Sequence, residues 1–179
     1  MRIPASPARI PDQTGRTIII TGADSGIGRA AAAALVAKGA RLILAVRDQD
    51  KGHAAAAEMS GAVEVRPLDL ASLESIRDFA AGIDSAVDIL VNNAGTMTDS
   101  LRHTTEGFEL QFGVHHLGHF ALTNLLLDRV TSRVVTVSSD AHRIAHIDFD
   151  GLQWEERPYK PLLVHGQSKP ANLLFTVEL

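Results

Sequence analysis

His165 and Lys169 stand four residues apart in His165-Gly166-Gln167-Ser168-Lys169. On a helix that spacing puts an imidazole and an ammonium on one face. An ordinary imidazole has a pKa of about 6.5, so it exchanges protons near neutrality. A neighbouring ammonium disfavours its charged form. The pair is a candidate acid–base unit. A second pattern lies upstream, where Gly22-Ala23-Asp24-Ser25-Gly26-Ile27-Gly28 follows a β-branched run and opens an Ala-rich stretch. Here Gly22 permits a tight turn, Gly26 lets the backbone approach a pyrophosphate, and Gly28 lets the helix pack closely on the strand. Unpaired N–H groups and the positive end of the helix dipole would then face the phosphates.

His115 and His119 also share a four-residue spacing, and His116 lies beside His115. Helical histidine pairs can ligate zinc. No third ligand is evident and the glutamate of a zincin helix is absent, so no metal is expected. His142 and His146 repeat the spacing in what reads as a loop. The chain has no cysteine, which excludes thiolate catalysis and a disulfide framework and fits a cytoplasmic location. Its formal charge of -4 comes without a basic block, so nucleic acid is not an expected partner.

These residues need a scaffold, and 179 residues at 45% hydrophobic content are enough for one domain with a real core. Residues 1–14 are Pro-rich and polar, lack the apolar centre of a signal peptide, and read as an irregular arm. No apolar run reaches the length of a membrane span. Thr17–Ile20, Arg41–Val46, Val63–Val65, Asp88–Val91 and Arg133–Val137 read as strands. Helices are expected from Ile27 to Lys38, Asp48 to Met59, Ser72 to about Ala81 and Gly107 to about Asp128, with Gly39 and Ser72 as caps. This alternation predicts an α/β fold, a Rossmann-like doubly wound parallel sheet with helices on both faces. It forms one dinucleotide-binding domain over residues 15–179.

In that context the glycine pattern, with Thr21 before it, resembles the short-chain dehydrogenase/reductase family. Independent marks follow in the same order: Asp69-Leu70 after the third strand, Asn92-Asn93-Ala94-Gly95 closing the fourth, Val137-Ser138-Ser139 ending the fifth, and Gly166-Gln167-Ser168-Lys169-Pro170-Ala171-Asn172. Phe108-Glu109-Leu110-Gln111-Phe112 and Leu117-Gly118-His119-Phe120 are similar to its retinol-dehydrogenase-like branch. The resemblance implies hydride transfer between a nicotinamide and a small hydrophobic alcohol or carbonyl compound. It implies cofactor contacts from Gly22, Ala23, Asp24, Ser25, Gly26, Ile27, Gly28, Arg47, Asp69, Leu70, Asn93, Ala94, Gly95 and Lys169. It makes Ser139 the residue that hydrogen-bonds the substrate oxygen, with Ser138 facing the scaffold. Lys169 is the lysine that supports the acid/base.

Two positions depart from the family pattern. It has tyrosine where His165 stands and asparagine where His115 stands, so the catalytic set reads Ser139, His165, Lys169 and His115. An imidazole is shorter than a phenol, and weak turnover is expected; the alternative is an inactive dinucleotide-binding protein or a truncated remnant that acts, if at all, through a partner. Tyr159 is a remote substitute acid. At the end of the second strand, Val46 occupies the place of the acid that binds a ribose 2′-hydroxyl, and Arg47 follows it. A guanidinium pairs well with a 2′-phosphate, so NADP(H) is expected over NAD(H). Family members continue beyond the active-site helix, whereas this chain stops inside Leu173–Leu179. The fifth strand is therefore expected to lack a neighbour. A homodimer through the two helices flanking the active site would cover apolar surface.

Overall fold

A computed structural model describes residues 9–179. The first part of the expected arm, residues 1–8, lies outside the described residues. Behind it, the Gln13 N–H donates to the Lys38 carbonyl at 2.8 Å, tying the approach to the first strand onto the end of the first helix.

Five parallel strands form one sheet in the order β3-β2-β1-β4-β5. They are β1 (Thr17–Thr21), β2 (Arg41–Val46), β3 (Val63–Pro67), β4 (Val87–Asn92) and β5 (Val130–Thr136). Ile18, Ile19 and Ile20 of β1 are fully buried because β1 is central and covered on both faces. That explains a continuous β-branched run instead of an alternation. Ile18 and Ile20 pack with Ala32, Val36, Leu42 and Leu44 on one face. Ile19 packs with Ile43, Ile76, Phe79, Leu90, Leu122 and Leu126 on the other. The first face is covered by α1 (Gly26–Val36) and the second by α3 (Leu73–Ala81), while α2 (Gln49–Ala57) leads into β3. On α1 the buried positions Gly28, Ala32 and Val36 recur every fourth residue, so one stripe meets the sheet. Strand order reverses between β1 and β4, which places a crevice at their carboxyl ends.

The expected strands and helices are present, with ends displaced by a few residues; β5 starts earlier, at Val130, and stops before Val137. The larger departure concerns Gly107–Asp128, which is not one regular helix. Residues 107–109 are outside it, because the Glu109 carboxylate caps the start by accepting the N–H groups of Gln111 and Phe112 at 2.9 and 2.7 Å. A short α4 (Leu110–Phe112) then passes into a π-helical turn, Gly113–Leu117, before α5 (Gly118–Leu126) and a 3₁₀ turn. That π-turn contains His115 and His116. Such turns concentrate at functional sites because they re-aim the side chains they carry. Another 3₁₀ turn, Asp140–Arg143, follows Ser139, and the long α6 (Pro161–Glu178) carries His165 and Lys169. The β5 strand forms one edge of the sheet and is largely exposed.

Candidate functional site

A cleft of about 790 Å³ opens at the carboxyl ends of the strands. Of the residues named above as cofactor contacts, Gly22, Asp24, Ser25, Gly26, Ile27, Gly28, Arg47, Asp69, Leu70, Asn93, Ala94 and Gly95 line it. Ala23 does not: its side chain is fully buried in the core beneath the turn. The cleft also takes in Ala45, Asp48, Lys51, Leu68, Thr96, Leu110 and Val114, which sequence reasoning missed. Lys51 follows Arg47 by four residues at the start of α2, a spacing that could have flagged it.

The turn itself fits a bound diphosphate. Gly26 adopts a φ of +52° and a side chain there would meet nothing within 4 Å, so its backbone faces open space. The N-cap Ser25 makes no side-chain cap, and the first turn of α1 carries no acid. By contrast, α2 and α3 are capped by Asp48 and Ser72 and carry Asp50 and Glu74 in their first turns. The N–H groups opening α1 are therefore left for a ligand, with no acid in the turn itself to compete for them. Gly28 has another role: a Cβ there would lie 2.5 Å from Asn93 Nδ2 and 2.5 Å from the Gly22 carbonyl oxygen. Its close approach is thus to the turn and the β4 end.

Thr21 holds the two strand ends together. Its Oγ1 accepts the N–H groups of Asn93 and Ala94, both at 2.9 Å, and Asn93 Nδ2 donates to the Thr21 carbonyl at 2.8 Å. With two donors on its oxygen, the Thr21 hydroxyl directs its own proton to His119 Nε2, 2.8 Å away. His119 Nδ1–H then donates to the His115 carbonyl at 3.0 Å. His119 is 2% exposed, and burial pushes its pKa down to about 4. It is a neutral strut between the nucleotide turn and the π-turn.

His115 is equally committed. The Thr96 N–H donates to its Nε2 at 2.8 Å, so that nitrogen carries the lone pair. Its Nδ1 therefore bears the proton and donates to Ser168 Oγ at 2.9 Å. The Ser168 hydroxyl passes the chain on to the His165 carbonyl at 2.7 Å. Burial, with help from the Lys169 charge, holds the His115 pKa well below the usual imidazole value. With both ring nitrogens used, neither His115 nor His119 is free to ligate a metal, and no group of three metal-ligating side chains forms among the described residues.

His165 faces His115 edge to face, with ring centroids 5.0 Å apart and planes at 82°. Its Nδ1 is buried without a partner, and burial followed by the Lys169 charge lowers its pKa. Lys169 is 6% exposed, and burial lowers its pKa too. Ser139 caps the turn on which α6 rests: a Cβ on Gly166 would lie 2.9 Å from Ala145 Cβ and 3.0 Å from the Ala141 carbonyl oxygen. Ser138 Oγ points away, to the Lys169 carbonyl at 3.4 Å. His115, His165 and Lys169, from the π-turn and α6, thus meet, although neither they nor Ser139 line the cleft.

Tyr159 is drawn elsewhere. Its hydroxyl donates to Glu109 Oε1 at 2.8 Å and accepts from Gln111 Nε2 and Thr98 Oγ1, both at 2.9 Å. It fastens the loop before α6 to the start of α4, which is a structural use of the hydroxyl.

A family model described as short chain dehydrogenase matches residues 16–149. The chain is 50% identical to human (Homo sapiens) retinol dehydrogenase 13 over 97% of its own length and 55% of that protein's. It is 47% identical to retinol dehydrogenase 12 of Mus musculus, covering 92% of this chain and 56% of that one. The chain therefore spans about half the length of these curated relatives. Among solved structures, an uncharacterized protein from Mycobacterium Paratuberculosis superposes with a TM-score of 0.93 at 54% identity, over 97% of this chain and 64% of that one. RhlG of Pseudomonas aeruginosa, solved as an NADP active-site complex, superposes at 0.71 with 26% identity, over 92% of this chain and 64% of that one.

Proposed function

The chain belongs to the short-chain dehydrogenase family, and on that premise we propose that it is the dinucleotide-binding and catalytic part of an NADP(H)-dependent oxidoreductase acting on a small hydrophobic alcohol or carbonyl compound. One observation carries the reading: Gly26, at positive φ, faces open space at an uncapped, acid-free helix start inside a cleft of about 790 Å³. A nicotinamide bound there would supply or accept a hydride. The chain's residues do the rest. The first turn of α1 holds the diphosphate, Asp69 and Leu70 bound the adenine side, and Asn93, Ala94 and Gly95 support the ribose and ring. Ser139 and His165 address the substrate oxygen, and the Lys169 charge favours negative charge developing on it. Residues 15–179 act as one domain in a cytoplasmic protein. Among the described residues no helix is long and apolar enough to cross a membrane. Two copies would pair through α5 and α6, where Phe120, Leu125, Leu174 and Val177 are exposed.

Arg47 and Lys51 sit together at the edge of the cleft, and Lys51 Nζ lies 3.0 Å from Asp48 Oδ2. Arg47 is exposed and has no hydrogen-bond or ion-pair partner among the described residues. A 2′-phosphate would give it one, through a charge-assisted pair. Arg47→Ala is expected to weaken NADPH binding roughly 10-fold and leave NADH binding within about 2-fold, since a charged hydrogen bond contributes about 1.5 kcal/mol. Fluorescence titration of both nucleotides tests this, and equal affinity for the two in the unaltered chain would refute the preference.

The histidine at position 165 favours a second reading, a nucleotide-binding protein with little turnover. An imidazole ends about 2 Å short of a phenolic oxygen, and a misplacement of about 1 Å can cost ~100-fold in rate. Turnover of aldehydes and ketones, measured beside NADPH binding, separates the readings: binding with no turnover would select the second.

A further inference from the structure

We infer that His165 works as a neutral hydrogen-bond donor, fixed by His115 with its proton on Nε2, and does not carry the proton of the reaction. The inference rests on the oxidoreductase reading but concerns the state of one side chain. Both nitrogens of His115 are spoken for, by the Thr96 N–H and by Ser168. At a centroid distance of 5.0 Å, His115 therefore offers its neighbour only carbon and ring face. His165 Nδ1 is buried and has no partner, and the His115 ring beside it supplies none. A proton placed there would be a buried donor without an acceptor, and folded proteins tolerate an orphaned N–H less readily than an under-used lone pair.

The other nitrogen, Nε2, makes no hydrogen bond within the chain and is not among the buried unpartnered atoms, so solvent or substrate reaches it. The single proton of the neutral ring belongs at Nε2, where it can be accepted. An imidazolium would need the orphaned Nδ1–H as well. It would also lie on the same helix face as the Lys169 ammonium, four residues on, with no carboxylate paired to either among the described residues. His115 and Lys169 are the titratable groups facing it, from the π-turn and from its own helix, and the first is itself held neutral by burial.

The chemistry balances without a titrating histidine. A bound dihydronicotinamide would supply the hydride for a carbonyl reduction, leaving negative charge to develop on the substrate oxygen. His165 Nε2–H would hold that oxygen, and the Lys169 ammonium on the same helix face would supply its proton, to be replaced from water. His165 thus replaces the acid of the family pattern with an electrophile.

Side-chain ¹⁵N NMR of the imidazoles, recorded from pH 7.5 to 5.5, tests the assignment without turnover. The expected spectrum shows His165 neutral with its proton on Nε2, and His115 with its proton on Nδ1. An imidazolium at pH 7, or a His165 proton on Nδ1, overturns it. In His115→Asn, space opens beside His165 Nδ1, and the titration midpoint of His165 is expected to rise toward the ordinary value of about 6.5. An unchanged midpoint removes His115 from the argument. For activity, His165→Gln keeps a donor that cannot titrate. It is expected to retain at least ~10-fold more NADPH-dependent reduction than His165→Ala, which lacks any donor. If Gln fails as badly as Ala, His165 carries the proton and the inference is wrong. Absence of NADPH binding in the unaltered chain would instead count against the oxidoreductase reading, and the NMR result would stand by itself.

Discussion

Lowering the pH from 7 to 4 is expected to remove about 3 kcal/mol of stability through His119 alone, which folding pulls from an ordinary pKa of about 6.5 to about 4. Between those values the unfolded chain binds a proton that the folded chain refuses. The contribution is complete above about pH 6.5 and is lost as the pH falls toward 4. The cause is local. A proton on His119 Nε2 would face Thr21 Oγ1, whose lone pairs already receive the Asn93 and Ala94 N–H groups. The charged ring would also sit in a site that is 2% exposed. His115 acts in the same direction, because its Nε2 lone pair is the acceptor for Thr96. Urea unfolding at pH 7.5 and 4.5 measures the slope. In His119→Asn the amide can bridge part of the same gap without titrating, and the loss on acidification is expected to shrink by most of that amount. A variant that loses as much stability as the unaltered chain would show that other groups set the slope.

What could be read beforehand follows the range of the interactions involved. The Ile18–Ile20 run was legible because burial on both faces leaves a continuous apolar segment. The glycine turn was legible because its spacing is a local requirement of backbone geometry. The π-turn was not, since a shift of one residue in hydrogen bonding leaves no periodic trace in Gly113–Leu117. The role of His115 was also hidden: its partners Thr96 and Ser168 lie 19 and 53 residues away in the chain. Sequence could mark His115 as a departure from a pattern, but only the fold shows both nitrogens engaged. The burial of Ala23 was hidden for the opposite reason. It sits inside a motif whose spacing is set by the backbone, and its side chain turns into the core.

Gly28→Ala is expected to cost about 1–3 kcal/mol of stability and to weaken NADPH binding by more than ~10-fold, because overpacking at this point moves backbone. Its added methyl would stand 2.5 Å from Asn93 Nδ2 and 2.5 Å from the Gly22 carbonyl oxygen. Only the first can rotate away, and doing so breaks the 2.8 Å bond from Asn93 to the Thr21 carbonyl that ties β1 to β4. The strain therefore spreads from α1 to both strand ends, and from there to Thr21 Oγ1 and His119. Gly26→Ala is the informative companion. Nothing within 4 Å obstructs a methyl at that position, so its structural cost is the left-handed backbone alone, at a φ of +52°. That cost is about 1 kcal/mol. Its effect on nucleotide affinity should nevertheless match or exceed that of Gly28→Ala, because the open space it fills is where a diphosphate would lie. Thermal unfolding and NADPH titration of the two variants separate a packing defect from a ligand clash. If Gly26→Ala binds NADPH as the unaltered chain does, the diphosphate does not sit at this turn, and the placement of the cofactor has to be revised.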